Sequence, residues 1–183
     1  MASGKPILLW DQSGAPVLEP SNRVIRLLRA ALGEAASLSW HDGRIVLSRP
    51  AVEAGESIGY LPGDMEDKLA PYLRPLYDAL TDRLSVKRMR ALMAEGAIEI
   101  APVGFMRGRT LNNAFVVIDE AQNCTYMQLK MLLTRLGWSS TMVVTGDPNQ
   151  SDLLPGISGL ADVAARFEAV DNIAVVRLAD RDI

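Results

Sequence analysis

The chain has 183 residues, 49% of them apolar and 22% charged, and a net charge of −3. That is enough apolar material for one ordinary domain with its own core, and it excludes a disordered polymer or a protein that coats nucleic acid through bulk positive charge. Cys124 and His41 each stand alone, which removes internal disulfides, Cys/His zinc sites and histidine-based triads and points to a reducing, cytoplasmic compartment.

Short apolar runs alternate with helical stretches along the chain. The first strand is expected at 7–10, followed by a helix over 23–36 whose Arg23, Arg26 and Arg29 share one side. A strand at 44–47 leads to helices at 71–84 and 86–94, where Arg83, Lys87, Arg88 and Arg90 cluster without interleaved aromatics, the pattern of a solvated face. Strands follow at 98–101 and 114–118. The next helix, 126–136, is the best marked: Thr125 and Gln128 form a T-x-x-Q capping box, Tyr126, Leu129, Leu133 and Leu136 recur on one face, and Gly137 can close the end. A strand at 141–145, a helix at 159–167 and a strand at 173–178 complete the order. Several strands are apolar throughout, as strands covered on both faces are. The expected architecture is α/β, a single domain over 1–183 with a mostly parallel sheet and helices on both faces. No apolar run approaches the roughly 18 residues that span a bilayer, and no secretion signal opens the chain; a soluble protein is expected.

In parallel sheets ligands sit beyond the carboxyl ends of the strands, and two loops there carry chemistry. The apolar run 114–118 stops in Asp119-Glu120-Ala121-Gln122. At such an edge an Asp can hold Mg²⁺ while the adjacent Glu orients or deprotonates the attacking water; the plainer reading is two acids opening a helix, where they suit its dipole. The run 141–145 enters Gly146-Asp147-Pro148-Asn149-Gln150, whose Gln could reach a terminal phosphate and whose other residues also make ordinary turns. Two such loops with one capped helix between them favour a nucleotide site.

DEAQ and GDPNQ resemble motifs II and III of superfamily 1 helicases. The stretches EAGE, LPGD and FMRGRTLN resemble one branch, the PhoH-like ATPases, and the likeness covers about 44–160. The resemblance implies a P-loop NTPase fold and ATP hydrolysis with Mg²⁺, in a homo-oligomer (a hexameric ring) linked to RNA or single-stranded nucleic acid and to the phosphate-starvation response. It implies Asp119 as the metal holder, Glu120 as the residue acting on water and Gln150 as the sensor of the terminal phosphate. Asp147 would lie at the nucleotide, and Ser48 and Arg49 would touch phosphates or a nucleic-acid backbone. Arg107 and Arg109 are candidates for a finger donated across a subunit interface, since a guanidinium binds phosphate bidentately; ion pairing within a solvated loop is the alternative.

The segment 1–43 departs from that pattern. No G-x-x-x-x-G-K-[ST] loop is present. By position, 14–21 keeps Gly14 and Ser21, but Glu19 and Pro20 stand where Gly and Lys belong; by identity, Ser3-Gly4-Lys5 resembles the tail of the motif, with Pro6 in place of the hydroxyl. Losing the Lys and the wrapped amides would remove roughly 4 kcal/mol, about a thousandfold in affinity. The family pattern also continues past Ile183. A non-catalytic binding module, or a fragment that acts only with absent parts, therefore stands beside the ATPase reading.

Overall fold

The structure, a computed structural model, describes residues 5–10, 43–51, 65–82, 84–171 and 173–178. The elements in chain order are β1 (Lys5–Trp10), β2 (Arg44–Arg49), α1 (Met65–Thr81), α2 (Val86–Ala94), β3 (Ile98–Pro102), β4 (Ala114–Ile118), α3 (Tyr126–Leu133), β5 (Thr141–Thr145), α4 (Leu160–Phe167) and β6 (Ile173–Leu178). The expected helix at 23–36, with Arg23, Arg26 and Arg29, the residue Arg83 and the EAGE and LPGD stretches lie outside the described residues. Lys87, Arg88 and Arg90 are exposed on α2, the solvated face that their spacing implies. Among the described residues no helix is long and apolar enough to cross a membrane.

The sheet is mostly parallel, as the alternation of elements implies. Its six strands lie in the order β3-β2-β4-β5-β1-β6. β3, β2, β4 and β5 pair parallel, and β1 runs antiparallel to both neighbours, β5 and β6. Side chains alternate between the faces of a strand, and both faces are covered. Val46, Val116, Ile118, Met142 and Val144 pack with Leu129 and Leu132 of α3 and Leu160 and Val163 of α4. Ile45, Leu47, Ile98 and Val117 pack on the other side with Leu69, Leu73, Leu76 and Leu80 of α1 and Met89 of α2. Strands buried this way have no polar face to show, which is why their sequences read as continuous apolar runs.

Two helix boundaries differ from those that the sequence suggests. α1 begins at Met65 and runs through Pro71 and Pro75, although a proline inside a helix costs about 3 kcal/mol. The buried Leu69, Leu73, Leu76 and Leu80 offset it, each contributing roughly 1.5–3 kcal/mol. α3 has both capping-box bonds, Gln128 N–H to Thr125 Oγ1 at 3.2 Å and Thr125 N–H to Gln128 Oε1 at 2.8 Å. It stops at Leu133, not Leu136, because the chain tightens and swings out to meet Leu111: Leu136 bridges Leu111, and Gly137 N–H donates to its carbonyl. Gly137 thus closes no helix. It is glycine because a Cβ there would run into Asn112 Oδ1 and, at 2.9 Å, Thr110 Cγ2.

Gly137→Ala should therefore lower stability by about 1–3 kcal/mol in chemical denaturation. Gly104→Ala, whose Cβ would meet nothing within 4 Å, should change it little.

Candidate functional site

β4 and β5 are adjacent and parallel, so the segments that follow them emerge side by side at one edge of the sheet. Asp119 follows β4 directly. Its N–H donates to Ser48 O at 2.9 Å, which extends the β2–β4 ladder by one step. Its carboxylate is buried, and Oδ1 accepts from Thr145 Oγ1 at 3.0 Å, across to the last residue of β5. Burial pushes this carboxyl above the ordinary aspartate range, the adjacent Glu120 adds to that, and the Thr145 hydroxyl and Arg49 oppose it.

The chain turns sharply at Glu120, which sits in the left-handed region at φ 54°, ψ 39°. For a residue with a Cβ that costs on the order of 1 kcal/mol. The turn leads into a short 3₁₀ segment, Ala121–Asn123, which carries Gln122 into the interior. The Glu120 carboxylate is partly exposed, 3.6 Å from Arg49 Nη2.

Gln122, 2% exposed, joins the two loops. Its Oε1 accepts from Asp147 N–H at 3.0 Å. Its Nε2 donates to Glu120 Oε2 and, at 3.4 Å, to Gln150 O. Ser151 Oγ donates back to Gln122 O at 2.9 Å. One residue on, Asn123 and Asp152 bond reciprocally: Nδ2 to Oδ2 and Asp152 N–H to Oδ1, both 2.7 Å. Gly146 allows this approach, since a Cβ there would come within 2.7 Å of Leu160 Cδ2 and 2.9 Å of Gln122 N. Asp147 is buried and orders its own loop, accepting from Asn149 N–H at 3.0 Å and from Gln150 Nε2 at 2.8 Å.

Asp119, Glu120, Asp147, Gln150 and Arg49 thus share one edge and one bonded network. Ser48 meets it through its backbone, its carbonyl accepting from Asp119 N–H. Its side chain is fully buried, on the same strand face as Val46, and its hydroxyl has no hydrogen-bond partner among the described residues. Arg107 and Arg109 separate from each other. Arg109 grips Glu99 of β3 with both terminal nitrogens, Nη2 to Oε2 at 2.8 Å, and that hydrogen bond holds Glu99 below the ordinary glutamate range. Arg107 is exposed and makes no ion pair among the described residues. Gly14 and Ser21 lie outside the described residues. β1, which precedes them, runs from Ile7 beside Thr145 to Trp10 beside Met142, so the chain leaves it toward the edge opposite Asp119. It is Lys5, at the start of β1, that lies at the Asp119 edge.

Reading the residues one by one missed Gln122 and Thr145. Each is an ordinary polar residue until its partner on the other loop is known; the only available signal was that both motifs carry polar residues just beyond apolar strands.

The donor set fits a hard cation held in the manner of Mg²⁺. The Asp119 carboxylate, with Oδ1 held by the Thr145 hydroxyl, precedes the Glu120 carboxylate directly, and among the described residues no imidazole accompanies them. Among the described residues no three His, Cys, Asp or Glu side chains gather into an all-protein cage, which suits an ion that takes one or two carboxylates and leaves its other positions to phosphate and water. The lone thiol, Cys124, is buried and pushed up to about 12 by burial, so it offers no reactive thiolate.

The family model for PhoH-like proteins matches residues 27–183. The chain belongs to the PhoH-like family. It is 54% identical over 144 residues to the PhoH-like protein of Bacillus subtilis (strain 168), covering 78% of this chain and 45% of that one. It is 50% identical over 158 residues to the PhoH-like protein of Synechocystis sp. (85% and 48%), and 48% identical over 142 residues to Protein PhoH of Escherichia coli K12 (76% and 40%). The chain thus spans less than half the length of these relatives. The PhoH-like match begins at residue 27, earlier than the 44 at which the motif wording starts.

Gln122→Ala would leave Asp147 N–H buried without a partner and should cost about 1–3 kcal/mol in chemical denaturation. For Asp119 the folded carboxyl lies above its unfolded value, so its stabilising, protonated form prevails below the unfolded value and is lost as pH rises through the folded one. Asp119→Asn should accordingly raise stability at neutral pH by about 0.5–2 kcal/mol, a gain that disappears in acid denaturation profiles below about pH 4.

Proposed function

We propose that this chain is the catalytic core of a PhoH-type ATPase. The observation that carries the reading is the pair of carboxylate loops at adjacent strand ends, locked in register by Gln122. Asp119 would hold Mg²⁺, with Thr145 orienting its carboxylate. The bound ion would supply charge neutralisation of the phosphate oxygens. Glu120, partly exposed and steered by Arg49 and Gln122, accepts a proton from, or orients, the attacking water. Gln150, exposed at the rim and tied to Asp147, would sense the terminal phosphate. Assembly into a ring, and a link to RNA metabolism or the phosphate-starvation response, belong to the same proposal and rest on family membership.

A second reading, a module that keeps the fold without turnover, is favoured by the direction of β1. β1 runs antiparallel to β5 and ends, at Trp10, on the edge opposite Asp119, and the sequence holds no G-x-x-x-x-G-K-[ST] loop.

Titration calorimetry of Mg·ATP against the purified chain separates the two. Micromolar binding that Asp119→Ala abolishes, together with phosphate release cut at least about 100-fold by Glu120→Gln, is the expected result. Absence of binding up to about a millimolar, the level reached when the loop contacts are lost, would instead establish the non-catalytic module.

A further inference from the structure

The segment between β3 and β4 crosses the same sheet edge as the site and is sorted by burial in an informative way. Val103 and Met106 of the 3₁₀ turn Val103–Met106 are buried. Between and after them Gly104, Phe105, Arg107 and Gly108 are exposed. Phe105 is 54% exposed, which leaves a ring face open to a partner. Arg107, two residues on, is exposed as well and has no ion pair among the described residues. The glycines on either side leave open space, with nothing within 4 Å of an added Cβ.

The stretch that carries the loop holds only positive charges in an acidic protein. The chain has 22 acidic residues, yet none lies from Ile100 through Ile118. The nearest carboxylate on β3, Glu99, is shared by Arg109 and, at 3.6 Å, Arg44. Arg135 adds a further guanidinium, donating to Arg109 O at 3.2 Å. Arg109 is therefore the residue that fastens the loop to β3, and Arg107 is left to meet a partner.

We infer that the loop 103–108 is a contact for a single-stranded nucleic acid, with Phe105 stacking on a base and Arg107 binding the adjoining phosphate. An exposed aromatic beside an unpaired guanidinium is the combination that single strands select: the ring takes any base face, and the cation takes the backbone. A finger reaching a neighbouring subunit's nucleotide would use the guanidinium but gives the phenyl ring nothing to do. The inference deepens the nucleic-acid part of the reading above and is independent of ATP turnover.

The test is fluorescence anisotropy of the full chain with a labelled single-stranded oligouridylate, in the absence of nucleotide, over a salt series. Phe105→Ala should weaken binding about five- to hundredfold with the salt slope unchanged. Arg107→Ala should weaken it and flatten the slope by about 0.7. Lys87→Ala and Arg88→Ala, on the exposed face of α2, should have little effect. Both loop side chains are exposed, and unchanged thermal melts would confirm intact folding. Equal binding by parent and loop variants, or no binding by the parent, would overturn the inference. So would a fall in light-scattering mass for Phe105→Ala with affinity per protomer retained, because the loop would then be a subunit contact. A chain that binds the oligonucleotide but not Mg·ATP would sink the ATPase reading and leave this one standing.

Discussion

The arrangement at the ligand edge depends on one buried amide. Among the described residues Gln122 is the only side chain that bonds both the Glu120 carboxylate and the backbone of the loop after β5. An amide suits this position because it is donor and acceptor at once and carries no charge into the interior. A carboxylate could not donate to Glu120, and an apolar residue would leave Asp147 N–H dry. The left-handed turn at Glu120 delivers Gln122 to its place, and Gly146 is small because the amide sits against it. Backbone strain, a missing side chain and a buried polar group here answer one geometric requirement: two loops on neighbouring strands must keep a fixed separation.

The two adjacent carboxylates live in different surroundings. Asp119 is enclosed, with one oxygen committed to Thr145, while Glu120 stands at the surface beside a guanidinium. Enclosing an acid without a full cation partner works against folding, so Asp119 is kept at a cost to stability. Adjacent acids given unlike environments can take unlike roles.

Much of the fold was legible because β4 and β5 are covered on both faces and so appear as unbroken apolar runs, and because the capping box at Thr125 uses only local residues. The DEAQ and GDPNQ motifs were legible for the same reason: polar residues directly beyond a buried strand have one place to go. What stayed hidden was set by partners far along the chain. Gln122 meets Asp147 across 25 positions, and Asn123 meets Asp152 across 29. Gly137 looked like a helix stop because its true neighbour, Asn112, lies on another segment. The burial of the Ser48 side chain depends on helices packed over its strand, which its own neighbours in sequence do not reveal. Arg107 and Arg109 looked equivalent until Glu99 took one of them. The antiparallel course of β1 could not be read from apolar periodicity, which is the same for either direction.

β1 also has a consequence for how the protein is made. It is made well before its partners: β5 and β6 are among the last described elements, and β6 pairs with nothing but β1 among the described residues. An apolar segment must therefore wait until β5 and β6 have been made before its hydrogen bonds can be met, at about 5–20 residues per second. The rest of the sheet, β3-β2-β4-β5, can assemble meanwhile from shorter-range pairings. Completion of the sheet is then the slow, long-range step, and the interval in which β1 is unpaired is the one in which this chain most needs protection from its neighbours.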